Sequence, residues 1–208
     1  MINETNDKNT ESQKIEAIFL DRDGTINVEV DLLYKVEDLK LIEGVDKAIK
    51  VFNDLMIPVI VVTNQPVVAR NLCDEATLQN IHQHLRDMLA EHHAHVDEIY
   101  YCPHHPEKNH PDGNPAYRIE CECRKPKIGM LKMAEKKFGL NLKNCFMIGD
   151  TTTDILTGKN AGCHTILIKT GYMGNDKKHN VKADYEFETL LGAAIFIRKL
   201  HMQNQKSH

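Results

Sequence analysis

Apolar positions along this chain alternate between two periods. Ala17-Ile18-Phe19-Leu20 is a short continuous run that stops at Asp21-Arg22-Asp23-Gly24, which predicts a buried strand ended by turn residues. Val45, Ala48, Ile49, Phe52 and Leu55 then fall at helical spacing, and residues 57–62 supply a β-branched run ending in Thr63-Asn64-Gln65. Asp74 is placed to cap a helix carrying Leu78, Ile81, Leu85, Met88 and Leu89, after which residues 98–101 are again extended. The same alternation predicts a helix over 128–138 with Pro126 near its first turn, a strand over 145–148 stopping at Gly149-Asp150, a helix over 152–161 ended by Gly162, a strand over 165–168 and a last helix over 187–200.

Strands that alternate with helices build a mostly parallel α/β sheet with helices on both faces and right-handed crossovers. The expected organisation is one domain over residues 15–200, with loose polar tails at 1–14 and 201–208. The exception to the pattern is residues 103–126, which hold five of the seven prolines and therefore read as an irregular loop.

Composition narrows the partners. The formal charge of -4 and the pI near 6.3 argue against general nucleic-acid or anionic-membrane binding, so any basic site must be local. No apolar stretch reaches the roughly 18 residues that span a bilayer, and residues 1–14 are polar rather than charged and then apolar, so the expected location is the cytoplasm. In that compartment six cysteines point to metal ligation or burial rather than disulfides.

The candidate chemistry sits where apolar runs end. Asp21 and Asp23 are two carboxylates one residue apart at the carboxyl end of a strand, the place where open α/β sheets carry their ligand crevices. Two such groups repel each other unless a divalent cation or a shared proton intervenes. Thr63-Asn64-Gln65 and Gly149-Asp150, with Asp154 beyond, end two further strands and so fall at the same sheet edge; with Arg124-Lys125-Pro126-Lys127 they suit a site holding Mg²⁺ and a phosphoryl group. Any one of the three clusters alone also reads as a polar turn.

A second constellation is Cys102-x-His104, followed after sixteen intervening residues by Cys121-x-Cys123. Three thiolates and an imidazole make a closed tetrahedral Zn²⁺ ligand set, and a Pro-rich loop with few apolar residues needs such a staple. His105 and His110 are the alternatives to His104. Cys145 and Cys163 read as buried thiols, Cys73 has no evident partner, and His82, His84, His92, His93 and His95 read as a solvated helix face.

Asp21-Arg22-Asp23-Gly24-Thr25, Thr63-Asn64-Gln65, Cys102-Pro103-His104-His105-Pro106 and Cys121-Glu122-Cys123-Arg124-Lys125-Pro126 together resemble the haloacid dehalogenase superfamily of phosphatases. Within it they are similar to the D-glycero-D-manno-heptose 1,7-bisphosphate 7-phosphatase and histidinol-phosphatase subgroup. The resemblance implies a three-layer Rossmann-like fold without a large cap, open to a small sugar-phosphate substrate. It implies Asp21 as nucleophile, Asp23 as general acid and base, and Mg²⁺ on the Asp21 carboxylate, the Asp23 carbonyl and Asp150. By the same resemblance Thr63, Asn64, Arg124 and Lys125 bind substrate, with Lys127 the alternative lysine, and zinc on Cys102, His104, Cys121 and Cys123 is structural. A monomer acting in nucleotide-activated heptose synthesis for lipopolysaccharide or surface glycan is the expected whole.

The chain departs from that subgroup at Pro66-Val67-Val68 after the second motif, at Thr151 after Asp150, and in a longer loop over 109–117. Such loops touch the leaving group and bear on substrate choice. The rival expectations are a histidinol-phosphatase, a nucleic-acid 3′-phosphatase, which the acidic balance opposes, and a non-catalytic zinc-stabilised binding module.

Overall fold

The computed structural model describes residues 14–106 and 112–206. The expected tail over 1–14, apart from its last residue, and the candidate ligand His110 lie outside them. Six strands form one wholly parallel sheet: β1 (Ala17–Leu20), β2 (Val59–Asn64), β3 (Glu98–Cys102), β4 (Cys145–Gly149), β5 (His164–Ile168) and β6 (Tyr185–Phe187), in the order β3-β2-β1-β4-β5-β6. Parallel strands need crossovers, and the chain supplies α1 (Val45–Asp54), α2 (Glu75–Ala90), α3 (Gly129–Phe138), α4 (Thr152–Ala161) and α5 (Leu190–Lys206).

Alternation along the strands divides the core into two layers. Ile18, Leu20, Val59, Val61, Phe146 and Ile148 face a cluster completed by α1, α2 and α5. Their neighbours Ala17, Phe19, Ile60, Val62, Cys145 and Met147 face a second cluster that includes Met130, Leu131 and Ala134 of α3. Both faces of the sheet are therefore covered, which is why β1, β2 and β4 read as unbroken apolar runs rather than alternating ones.

The strand order reverses at β1, whose neighbours are β2 and β4. A topological switch point opens a crevice at the carboxyl ends of the strands flanking it. Leu20 lies level with Val61 of β2 and with Ile148 of β4, so Asp21, Thr63 and Asp150, one to two residues further along their chains, converge at one edge. Between β1 and β2 the chain holds only a 3₁₀ turn at Val36–Asp38 and α1, which leaves no room for a large cap.

Two expectations are corrected. The C-terminal tail over 201–208 is helical as far as Lys206, because α5 continues through a polar turn in which Gln205 and His201 pair at 2.9 Å, one helical turn apart. The last helix begins at Leu190 rather than 187, since residues 185–187 add a sixth strand beside β5. Three residues, two of them exposed, carry too little apolar pattern to announce a strand.

Candidate active site

The turn after β1 is built on one carbonyl: the Arg22 oxygen accepts from the backbone N–H groups of Thr25, Ile26 and Asn27. Gly24 turns the chain with φ at 73°, a left-handed conformation, and a Cβ there would collide with the Asp150 carboxylate. A Cβ on Gly171 would likewise collide with Asp150 Oδ2, and would meet Gly24 Cα at 2.8 Å. Asp150 thus packs against two adjacent glycine backbones, its Oδ2 accepting the Tyr172 N–H at 2.7 Å.

Asp21 opens onto a cavity of about 550 Å³ lined also by Thr63, Asn64, Arg124, Lys125, Asp154, Lys178 and His179. The buried Lys125 ammonium sits 2.7 Å from Asp21 Oδ1 and 2.6 Å from Asp154 Oδ1. Asp154 is the third residue of α4 and caps it with its other oxygen, which accepts from the Thr151 N–H and hydroxyl at 3.1 and 2.6 Å. One carboxylate therefore ties Lys125 to a helix N-terminus.

Asp21, Asp150 and Asp154 bring carboxylate oxygens within 4.8 Å of one another. Burial, together with the negative charges of Asp154 and Asp150, pushes the Asp21 carboxyl well above the usual range against the pull of Lys125. Burial and Asp154 likewise raise Asp150, to about 7. Three buried carboxylates facing a single ammonium are an unbalanced charge, and a hard, oxygen-preferring divalent cation is what the donor set fits.

Asp23 has a different environment. Its carboxylate accepts from Arg22 Nη2 at 2.9 and 3.0 Å, from Asn27 Nδ2 at 2.9 Å and from Gln65 Nε2 at 2.7 Å. Burial alone would raise it, but the Arg22 guanidinium and these hydrogen bonds outweigh burial and hold it below the usual carboxylate range. Arg22 is fully buried; its Nη2 also donates to Gln65 Oε1 at 2.9 Å and its Nη1 reaches His82 Nε2 at 3.2 Å. Thr63 Oγ1 accepts from Gln65 Nε2 at 2.9 Å, which leaves its own proton for another acceptor.

The cysteine loop lies beside this crevice. Cys121 Sγ stands 3.5 Å from Cys102 Sγ and 3.3 Å from Cys123 Sγ, while His104 Nδ1 is 3.8 Å from Cys102 Sγ and 3.4 Å from Cys123 Sγ. Four ligands at Zn–S distances of about 2.3 Å in a tetrahedron are about 3.7 Å apart, so the cluster has the dimensions of a zinc site. His105 turns instead to the cavity.

Relatives point the same way. The chain is 39% identical over 157 residues to a D-glycero-beta-D-manno-heptose-1,7-bisphosphate 7-phosphatase from Haemophilus ducreyi, covering 74% of this chain and 84% of the relative. This chain belongs to the haloacid dehalogenase-like phosphatases. The HAD-hydrolase-like family model matches residues 122–193. A D-glycero-alpha-D-manno-heptose-1,7-bisphosphate 7-phosphatase from Photorhabdus laumondii is 36% identical over 169 residues, 80% of this chain and 90% of its own length. The crystal structure of D,D-heptose 1,7-bisphosphate phosphatase from B. bronchiseptica, complexed with magnesium and phosphate, superposes with a TM-score of 0.78 at 28% identity over 88% of this chain and 98% of its own.

Asp21, Asp23, Thr63, Asn64, Arg124 and Lys125 line the crevice beside Asp150, and Cys102, His104, Cys121 and Cys123 form the cysteine cluster, with different immediate partners than a bare motif suggests. Asn64 spends its amide on the backbone of Lys125, donating to its carbonyl at 3.1 Å and accepting its N–H at 3.0 Å. Arg124 Nη1 donates to the His104 carbonyl at 3.0 Å, joining the cysteine loop to the cavity wall. Lys127 points away to Glu120 and Glu122 on the surface, whereas Lys125 is buried on Asp21.

Sequence reasoning missed four participants: Arg22, Gln65, His82 and the paired use of Asp154. His82 is the sharpest correction, because it is 3% exposed rather than on a solvated face. The signal was available: position 82 lies four residues beyond Leu78 and three before Leu85, on the apolar stripe of α2. Burial, and then the Arg22 charge, lower its pKa to about 3, so the ring is neutral. Cys145 and Cys163 are buried thiols, and all six cysteines are unpaired.

Proposed function

We propose that this phosphatase removes the 7-phosphate of D-glycero-D-manno-heptose 1,7-bisphosphate through an aspartyl-phosphate intermediate. The observation that carries the reading is the pairing of Asp21 with Lys125 and Asp154 at the floor of the sheet-edge cavity, supported by relatives whose names specify that reaction. Asp21 Oδ attacks phosphorus in line, the P–O bond to the sugar breaks, and the departing oxygen takes a proton from Asp23, whose protonated form, disfavoured by its hydrogen bonds in the free site, is favoured by the negative charge of the incoming phosphate. Asp23, now a carboxylate, withdraws a proton from water, which attacks the acyl phosphate and returns Asp21 to its free form. The Asp21 and Asp150 carboxylates and the Asp23 carbonyl would hold Mg²⁺, which would neutralise the charge gathered there.

The remaining groups divide the phosphoryl oxygens among them. Lys125 has one N–H beyond the two used on Asp21 and Asp154, and the Thr63 hydroxyl proton is left over by its bond from Gln65. Asn64 positions the Lys125 backbone, and Arg124 reaches the rest of the sugar from the cavity wall. Zn²⁺ on Cys102, His104, Cys121 and Cys123 is structural, holding the loop that delivers Arg124 and Lys125. We read the enzyme as a cytoplasmic monomer: unpaired cysteines suit a reducing compartment, and among the described residues no helix is long and apolar enough to cross a membrane.

Phosphate release from both anomers of heptose 1,7-bisphosphate, fructose 1,6-bisphosphate and histidinol phosphate tests the substrate. A heptose anomer is expected to give the highest kcat/KM, whereas preference for histidinol phosphate overturns the assignment. Asp21→Asn is expected to abolish turnover in a folded protein; phosphate release at the parent rate refutes the nucleophile.

A further inference from the structure

The buried contact between Arg22 Nη1 and His82 Nε2 has a fixed polarity. A guanidinium only donates, so the 3.2 Å approach requires the imidazole to accept at Nε2 and to carry its proton on Nδ1. That Nδ1 is buried and has no hydrogen-bond partner among the described residues, an unfavourable arrangement that an apolar side chain on the same helix stripe would avoid. The other guanidinium nitrogens are committed elsewhere: Nη2 to Asp23 and Gln65, Nε to Asp23 at 3.2 Å. His82 is therefore what holds the far corner of the fork that grips Asp23.

We propose that His82 is a positioning residue for the proton-transfer step, fixing the Arg22 guanidinium and through it the Asp23 carboxylate. The inference rests on the assignment of Asp23 as general acid given above. The charged groups that bear on the ring are Arg22, Arg86 and Asp23, and the neutral ring accepts from Arg22 without adding a second cation beside it. The Tyr101 ring, 5.3 Å away and inclined at 54°, limits the imidazole on another side.

A positioned acid matters in proportion to how poor the leaving group is. His82→Met, which fills the space without an acceptor, is expected to lower kcat on the sugar phosphate about 10-fold, with KM changed less than about twofold and p-nitrophenyl phosphate, whose phenolate leaves without a proton, cleaved at nearly the parent rate. His82→Gln, which restores an acceptor oxygen, is expected to recover the sugar-phosphate rate. Equal loss on both substrates, or no loss on either, overturns the proposal. Nitrogen NMR of ¹⁵N-histidine-labelled parent protein provides the measurement that needs no variant: Nε2 is expected to be unprotonated through the neutral pH range, and a protonated Nε2 overturns the proposal. The parent's rate on heptose bisphosphate tests the substrate assignment separately, since the His82 comparison holds for any alkyl phosphate the enzyme cleaves.

Discussion

Asp150 and His82 are both buried polar side chains without a full complement of charge partners, and each has a measurable consequence. Around Asp150 the Gly24 and Gly171 backbones leave no space for a methyl group, so Gly171→Ala must displace the carboxylate. The expected effect is a 10- to 100-fold rise in the Mg²⁺ concentration giving half-maximal activity, in the range found for perturbed outer-shell ligands, and a magnesium titration reads it. An unchanged titration midpoint removes Asp150 from the ion.

For His82 the folded pKa of about 3 lies below the unfolded value of about 6.5. Between these values the unfolded chain binds the extra proton, so stability rises with pH; it is fully present above the unfolded pKa and is lost as pH falls from there toward the folded one. The slope from this group is at most about 1.4 kcal/mol per pH unit. Denaturant melts of the parent below neutral pH are expected to show this acid sensitivity, and His82→Gln to show less of it; parallel pH dependences contradict a buried neutral ring.

At the scale of elements, the strand ends do the arranging. The apolar runs of β1, β2 and β4 were legible because both sheet faces are buried, and their polar endings announced the crevice before any contact was known. Arg22 and Gln65 were not legible, because their importance comes from meeting beyond the ends of β1 and β2, 43 residues apart in sequence. The three-residue β6 carried too little pattern, and the polar end of α5 looked like a tail because no apolar stripe marks it.

Helix α2 also reaches the cysteine loop. Glu75 accepts from the Tyr101 hydroxyl at 2.5 Å and the Tyr117 hydroxyl at 2.7 Å, and the Tyr117 ring lies 5.9 Å from that of His104. The loop is thus fastened at its cysteine–histidine cluster and at one helix end, and Cys123 leads directly into Arg124 and Lys125. Cys121→Ser is expected to release zinc and to raise KM about 10-fold, because two cavity cations lose their support. Zinc content and KM measured together check this, and zinc lost with KM unchanged separates the loop from substrate binding.

The whole molecule carries a net charge of -4, and its cavity sets Arg70, Arg124, Lys125 and Lys178 among Asp21, Asp23, Glu29, Asp31 and Asp154. A few cations confined to one crevice on an acidic surface offer a polyanion no extended basic track. Among the described residues, exposed apolar side chains such as Met56, Met133 and Met202 lie on different elements. On the proposed reading, the crevice at this edge of the sheet delivers a phosphate monoester to Asp21.

Quenching the enzyme during turnover of heptose 1,7-bisphosphate with Mg²⁺, followed by peptide mass spectrometry, examines that delivery at the bond itself. One acid-stable but base-labile phosphoryl group is expected on the peptide carrying Asp21, and none in Asp21→Asn. A phosphoryl group on a different residue, or steady turnover by the Asp21→Asn protein, contradicts covalent transfer through this aspartate.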